Sequence, residues 1–183
     1  MTARAAVTKN LFAIFAACSC VGAAGAAAPI PTPIGAGSRY LLPAASAAVA
    51  RARPVGRFRC TRDAGTRELA HIELFAEKLV LLLPAGIGNG SHCSYGIRTT
   101  QPTGVVEFVP DLRPTIGDIF TVWGQPLSAR RIASFRGAVT AWVDGKRWHG
   151  NVRAIPLRRH REIVIEVGGY VPPHTFFLFS GQP

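Results

Sequence analysis

From Leu69 to Gly90 the chain reads LAHIELFAEKLVLLLPAGIGNG, two apolar runs joined at Ala76, Glu77 and Lys78. In the first run Ala70, Ile72, Leu74 and Ala76 alternate with Leu69, His71, Glu73 and Phe75, the period of a strand with two different faces. The second, Leu79 to Leu83, is apolar throughout, as expected of a strand covered on both faces. Together they predict a β-hairpin whose second strand is central in a sheet.

Farther along, Tyr95 to Thr100 predicts a short strand and Gly104 to Val109 a clearer one, ended by Pro110. Ile116, Ile119, Phe120 and Trp123 recur at helical spacing and predict an α-helix over 116–123 with its apolar stripe in the core. Thr115 is its N-cap and Asp118 the capping-box partner, and Gly124 and Pro126 end it. Ser128 to Phe135 reads as a second short helical or irregular piece. Ala138 to Val143 alternates as a strand, and Asp144-Gly145 is a two-residue hairpin turn leading into a strand from Lys146, with Trp142 and Trp148 close enough across it to pack. Glu162 to Val167 is the last strand. The tail, Tyr170 to Phe179, carries Phe176, Phe177 and Phe179, enough apolar area to dock on the body.

The N-terminus changes the picture from a cytosolic domain to an exported one. Arg4 and Lys9 precede an apolar run, Leu11 to Ala17, that continues through small residues to Ala28, the pattern of an export signal. Cleavage between Ala24 and Ala28 gives a soluble product. The alternatives are a retained, uncleaved anchor and Phe15-Ala16-Ala17-Cys18, which resembles a bacterial lipoprotein box with Phe in place of Leu, so that Cys18 carries the lipid. Of four cysteines only Cys60 and Cys93 then remain, and an even pair in an oxidising compartment predicts one disulfide. The organisation expected is an export signal over 1–28, an Ala/Pro/Arg-rich disordered linker over 29–59, and one globular domain over 60–183.

The formal net charge is +11, and arginine supplies nearly all of the positive charge. Arg51 to Arg67 and the turn Arg158, Arg159, His160, Arg161 predict weak, salt-sensitive contact with anionic polymers or a membrane surface. No aromatic residues interleave these arginines in a nucleic-acid module, so specific nucleic-acid recognition is not expected. Gly86, Gly88 and Gly90 lack the GxGxxG spacing and a following helix, which leaves no cofactor motif. Ser94 near His92 is not presented on a strained turn such as GxSxG, so no catalytic residue is assigned. The five histidines fall at no ligand spacing. His71 and His92 are the best metal candidates, because a hairpin and its exit loop can approach each other.

The order hairpin, helix, DG hairpin, basic turn and final strand matches a β-grasp-like α+β domain, a single small mixed sheet, if 84–114 is an insertion. Ile155 to Gly168 resembles the last turn and strand of β-grasp domains. An immunoglobulin-like β-sandwich is the alternative, although it has no natural place for the 116–123 helix. The chain also resembles a group of secreted or membrane-anchored bacterial and archaeal proteins with no assigned activity. The resemblance runs through His71-Ile-Glu-Leu-Phe-Ala, Pro84-Ala-Gly-Ile-Gly, Pro102-Thr-Gly-Val-Val and Ile116-Gly-Asp-Ile-Phe-Thr-Val-Trp-Gly-Gln-Pro. It implies relatives with further histidines beside the position of His71 and in the stretch matching Ile97 to Gln101, which would suit a metal. This chain has Ala70, Glu73, Arg98, Thr99 and Thr100 there. The expected function is an exported accessory binding or structural domain, not an enzyme, acting in the periplasm or outside the cell. A metal-binding extracytoplasmic domain is the alternative.

Overall fold

A computed structural model of the chain describes residues 39–45, 47–62 and 65–179. The expected export signal and the lipidation candidate Cys18 lie outside the described residues. In chain order the elements are β1 (Arg39–Leu41), α1 (Ala47–Ala50), β2 (Glu68–Ala76), β3 (Leu79–Leu82), β4 (Ile97–Arg98), β5 (Val105–Phe108), α2 (Ile116–Trp123), β6 (Leu127–Ser128), β7 (Arg131–Ile132), β8 (Phe135–Arg136), β9 (Val139–Val143), β10 (Lys146–Trp148) and β11 (Glu162–Val167). The architecture is mixed α+β, mostly sheet. No helix among the described residues is long and apolar enough to cross a membrane.

The main sheet runs β1-β3-β2-β11-β9-β10, with β5 on the upstream half of β2 and β4 on β5. Its centre is the parallel pair β2 and β11, in register from Glu162 opposite His71 to Val167 opposite Ala76. β3 lies antiparallel to β2, and β9 antiparallel to β11. The alternation read from the hairpin therefore has a physical outcome on each side of the sheet. Ala70, Ile72 and Leu74, with Ile163 and Ile165, join the core that α2 covers. Phe75 and Val164 face the other way, into a smaller cluster with Val80, Trp142 and Val171.

Helix α2 forms as its sequence predicts. Thr115 Oγ1 accepts from the Asp118 amide, the Asp118 carboxylate accepts from the Thr115 amide, and Gly124 closes the end at φ 80°. Ile116, Ile119, Phe120 and Trp123 are fully buried. The Asp144-Gly145 turn takes positive φ at both residues, 50° and 75°, which matches the twist of the strands it joins.

Three expectations need correction. The first concerns the linker, since residues 39–45 and 47–59 belong to the fold. β1 pairs in parallel with β3, Leu42, Val49 and Phe58 are buried, and Trp123 Nε1 donates to Pro43 O at 2.8 Å. The Ala- and Pro-rich composition hid this because few anchors suffice when the rest of the sheet supplies the template. Second, the stretch read as a short helical or irregular piece, Ser128 to Phe135, lies in a three-stranded miniature sheet, β6-β7-β8. Third, the two-residue turn sets Trp142 opposite Arg147 and Trp148 opposite Ala141. Because strand side chains alternate, the two indoles lie on opposite faces and do not pack together.

Cys60 and Cys93 form a disulfide with Cα atoms 5.3 Å apart. Beside it Thr61 and Ser94 exchange two backbone hydrogen bonds, at 3.0 and 2.9 Å. The loop after β3 is wired inward rather than left open: Ile87 is fully buried, and the buried Thr99 donates through Oγ1 to Pro84 O at 2.7 Å.

Candidate metal centre under the C-terminal segment

The second face of the central strands is unusual for a buried surface. Where a run of valines would serve, β2 places His71 and Glu73 and β11 places Glu162 and Glu166, and all four are at most 5% exposed. Burying ionisable groups costs several kcal/mol unless they are paired or ligate an ion, and such groups gather where chemistry needs them.

Parallel pairing puts Glu162 directly opposite His71. His71 Nε2 donates to Thr103 O at 3.0 Å, which leaves Nδ1 facing both Glu162 carboxyl oxygens, at 2.8 and 3.0 Å. Burial pushes the Glu162 carboxyl up to about 9, with Glu73 and Asp144 adding to the rise and His174 opposing it. Burial also lowers the His71 pKa, against Glu73 and Thr103. The pair is accordingly held neutral, with the Glu162 carboxyl donating to Nδ1. One residue beyond the next pleat, the Glu73 oxygens lie 2.8 and 2.9 Å from Nδ1 of His174, which the C-terminal segment brings across the face.

One ligand atom from each of His71, Glu73 and Glu162 lies within 4.8 Å of the others. The ring of Phe177 stacks on His71 with centroids 3.8 Å apart and closes the site from above. In the gap between β2 and β3 a cavity of about 20 Å³, whose lining includes His71, Glu73, Thr103 and Gly104 but not Glu162, has room for one water and no organic ligand. Gly104, at φ 84°, makes this approach possible: a Cβ there would stand 2.8 Å from His71 Nε2 and 2.5 Å from Ile72 O.

No known family, curated protein or solved structure matches the chain.

Of the two histidines singled out from sequence, His71 is at the centre of this cluster. His92 is exposed beside the disulfide and belongs to no ligand group of this kind among the described residues. Ser94 is taken up by the bridge to Thr61 and by Arg67 Nη2, at 2.9 Å. Glu73, Glu162 and His174 escaped sequence reasoning. The signal that could have found them is the pairing of the first hairpin strand with the last strand, which sets Glu162 beside His71.

The arginine-rich segments also prove partly structural. Arg57 binds Asp118 at 2.8 Å and Leu112 O at 2.7 Å, and Arg67 Nη2 binds Tyr95 O at 2.8 Å. In the basic turn Arg158 and Arg159 are exposed, whereas Arg161 is half-buried and donates to Pro156 O at 3.1 Å.

Glu166, on the same face, gives a separate pH signature. Its Oε1 accepts from the Val171 amide at 2.9 Å, while its buried Oε2 has no partner. Burial raises its pKa to about 7, against the Val171 hydrogen bond. A raised carboxyl contributes stability that is fully present below its unfolded value and is lost as pH rises through its folded one. The Glu166→Gln variant should therefore lose less stability than the parent between pH 5 and pH 8, by about 2 kcal/mol in thermal or urea melts, since one pKa unit corresponds to about 1.4 kcal/mol. Parallel pH profiles for the two proteins would contradict this assignment.

Proposed function

We propose that this protein is an exported accessory domain that binds one divalent transition metal ion through His71, Glu73 and Glu162, with His174 holding the Glu73 carboxylate in place. The observation that carries the reading is the convergence of one imidazole and two carboxyls on the two central strands, buried, from positions up to 91 residues apart. A nitrogen and oxygen donor set of this kind suits zinc and its first-row neighbours better than calcium, which takes six to eight oxygens. The Thr103 carbonyl on the far ring nitrogen is the support that metal-ligating histidines normally have: it fixes the tautomer and aims Nδ1. An ion would take the place of the proton now shared within the His71–Glu162 pair.

Export is supported by the leader-like N-terminus and by the disulfide. A β-grasp arrangement is supported by the strand order β3-β2-β11-β9-β10, with a parallel central pair and α2 on one face.

Metal analysis of the purified exported protein tests the function. About one zinc-class ion per chain is expected, lost in Glu162→Gln and Glu73→Gln, both of which should still melt cooperatively. With free zinc at a hundred times its dissociation constant the parent should gain about 2.7 kcal/mol of stability, and the variants should gain none. Parent protein that binds no metal and melts at the same temperature with and without zinc would refute the reading.

A further inference from the structure

At one end of the sheet, away from the histidine cluster, the loop at 110–114 and the turn at 156–159 enclose a cavity of about 710 Å³. Its floor is apolar: Phe108 is 1% exposed and Leu157 is 4% exposed. Arg113, Arg158 and Arg159 stand around it, and the side chains of these three arginines have no hydrogen-bond or ion-pair partner among the described residues. Among the described residues Glu68 is the single carboxylate on its wall, so the lining keeps a net positive charge.

The walls are fixed. Leu157 N donates to Pro114 O at 2.8 Å and Ile116 N to Ile155 O at 2.9 Å, so the loop and the turn are tied to one another by backbone. From behind, Arg57 bonds the carbonyls of Leu112 and Arg113, at 2.7 and 3.2 Å, while Asp118 neutralises its own charge. One wall holds a non-glycine residue in the left-handed region, Arg113 at φ 45°, and the other is followed directly by a second, His160 at φ 56°. Such conformations cost on the order of 1 to 3 kcal/mol each and tend to gather at ligand sites. Three uncompensated guanidinium groups on a braced rim above an apolar floor form a receptor for a multiply charged anion, because each guanidinium presents a fork of donors that fits phosphate or carboxylate in bidentate fashion. The volume is that of a small-molecule site, larger than a bare phosphate needs.

We propose that this cleft is a saturable binding site for a phosphate-bearing anion, held by Arg113, Arg158 and Arg159. It is independent of the metal centre. The same chemistry could be offered by a soluble phosphate ester or by the headgroup of an anionic phospholipid, and the two sources are separable by experiment.

Calorimetric titration of the full chain with inorganic pyrophosphate should give one saturable site. Its affinity should fall at least tenfold in the R113A/R158A/R159A variant and stay unchanged in R130A/R147A, which removes two exposed arginines elsewhere. No intramolecular partner is lost in the triple variant, so it should melt like the parent. In a second arm, vesicles of phosphatidylglycerol and of phosphatidylcholine are sedimented with the protein. Capture by the anionic vesicles alone, lost in the triple variant and displaced by pyrophosphate, assigns the site to a lipid headgroup. Pyrophosphate binding without vesicle capture assigns it to a soluble phosphate. Binding that never saturates, or that weakens equally in both variants, would overturn the proposal and leave only diffuse attraction to a basic chain.

Discussion

Replacing Trp123 by alanine is expected to lower the unfolding free energy by roughly 3 to 5 kcal/mol, the range found for emptying a large aromatic site in a core. Trp123 is fully buried at the end of α2, and its ring lies 5.3 Å from that of Phe120. It also carries a second load. Its Nε1 donates to Pro43 O and so ties the helix to the segment that follows β1. Truncation removes both the packing and this tie to the segment after β1, two losses that act together. Chemical denaturation of the variant measures the loss. A midpoint within a degree or two of the parent in a thermal melt would mean that the indole is not part of the core.

The disulfide is the second large contributor. Changing Cys60 and Cys93 together to serine should cost roughly 3 to 4 kcal/mol on the chain-entropy model for a loop of this length. The loop of 33 residues encloses the whole β2-β3 hairpin and its exit. Its closure holds Thr61 against Ser94 and keeps Tyr95, which is fully buried, in the core. A lower urea midpoint with an unchanged native spectrum is the expected result. Equal midpoints for the double variant and the oxidised parent would show that the hairpin needs no crosslink. Non-reducing mass spectrometry of exported protein should find no free thiol at either position.

Local signals in the sequence were sufficient for most of the elements. Alternation in 69–76, the capping box at Thr115 and Asp118, and the Asp144-Gly145 turn each act over a few residues, and each forms as read. What local signals could not supply was long-range pairing. Glu162 and Glu166 alternate with Ile163 and Ile165 in the manner of a strand with one wet face, yet both carboxyls are 1% exposed. The cover comes from the tail. Val171 and Phe177 bury their side chains on that face, and His174 bonds Glu73. Docking of the tail was legible from its phenylalanines, but its one histidine gave no sign of the partner it meets. Arg39–Leu41 was missed for a related reason. Three residues carry no period of their own, and they become a strand only because the edge of β3 offers them a ladder.

The site that follows from this pairing can be observed directly. Crystals of the exported chain grown with zinc should show, in anomalous diffraction at the zinc edge, a single peak about 2.0 to 2.2 Å from His71 Nδ1 and from one oxygen each of Glu73 and Glu162. Density at His92 or another exposed histidine, with the His71–Glu162 hydrogen bond intact and no peak between the two central strands, would contradict it.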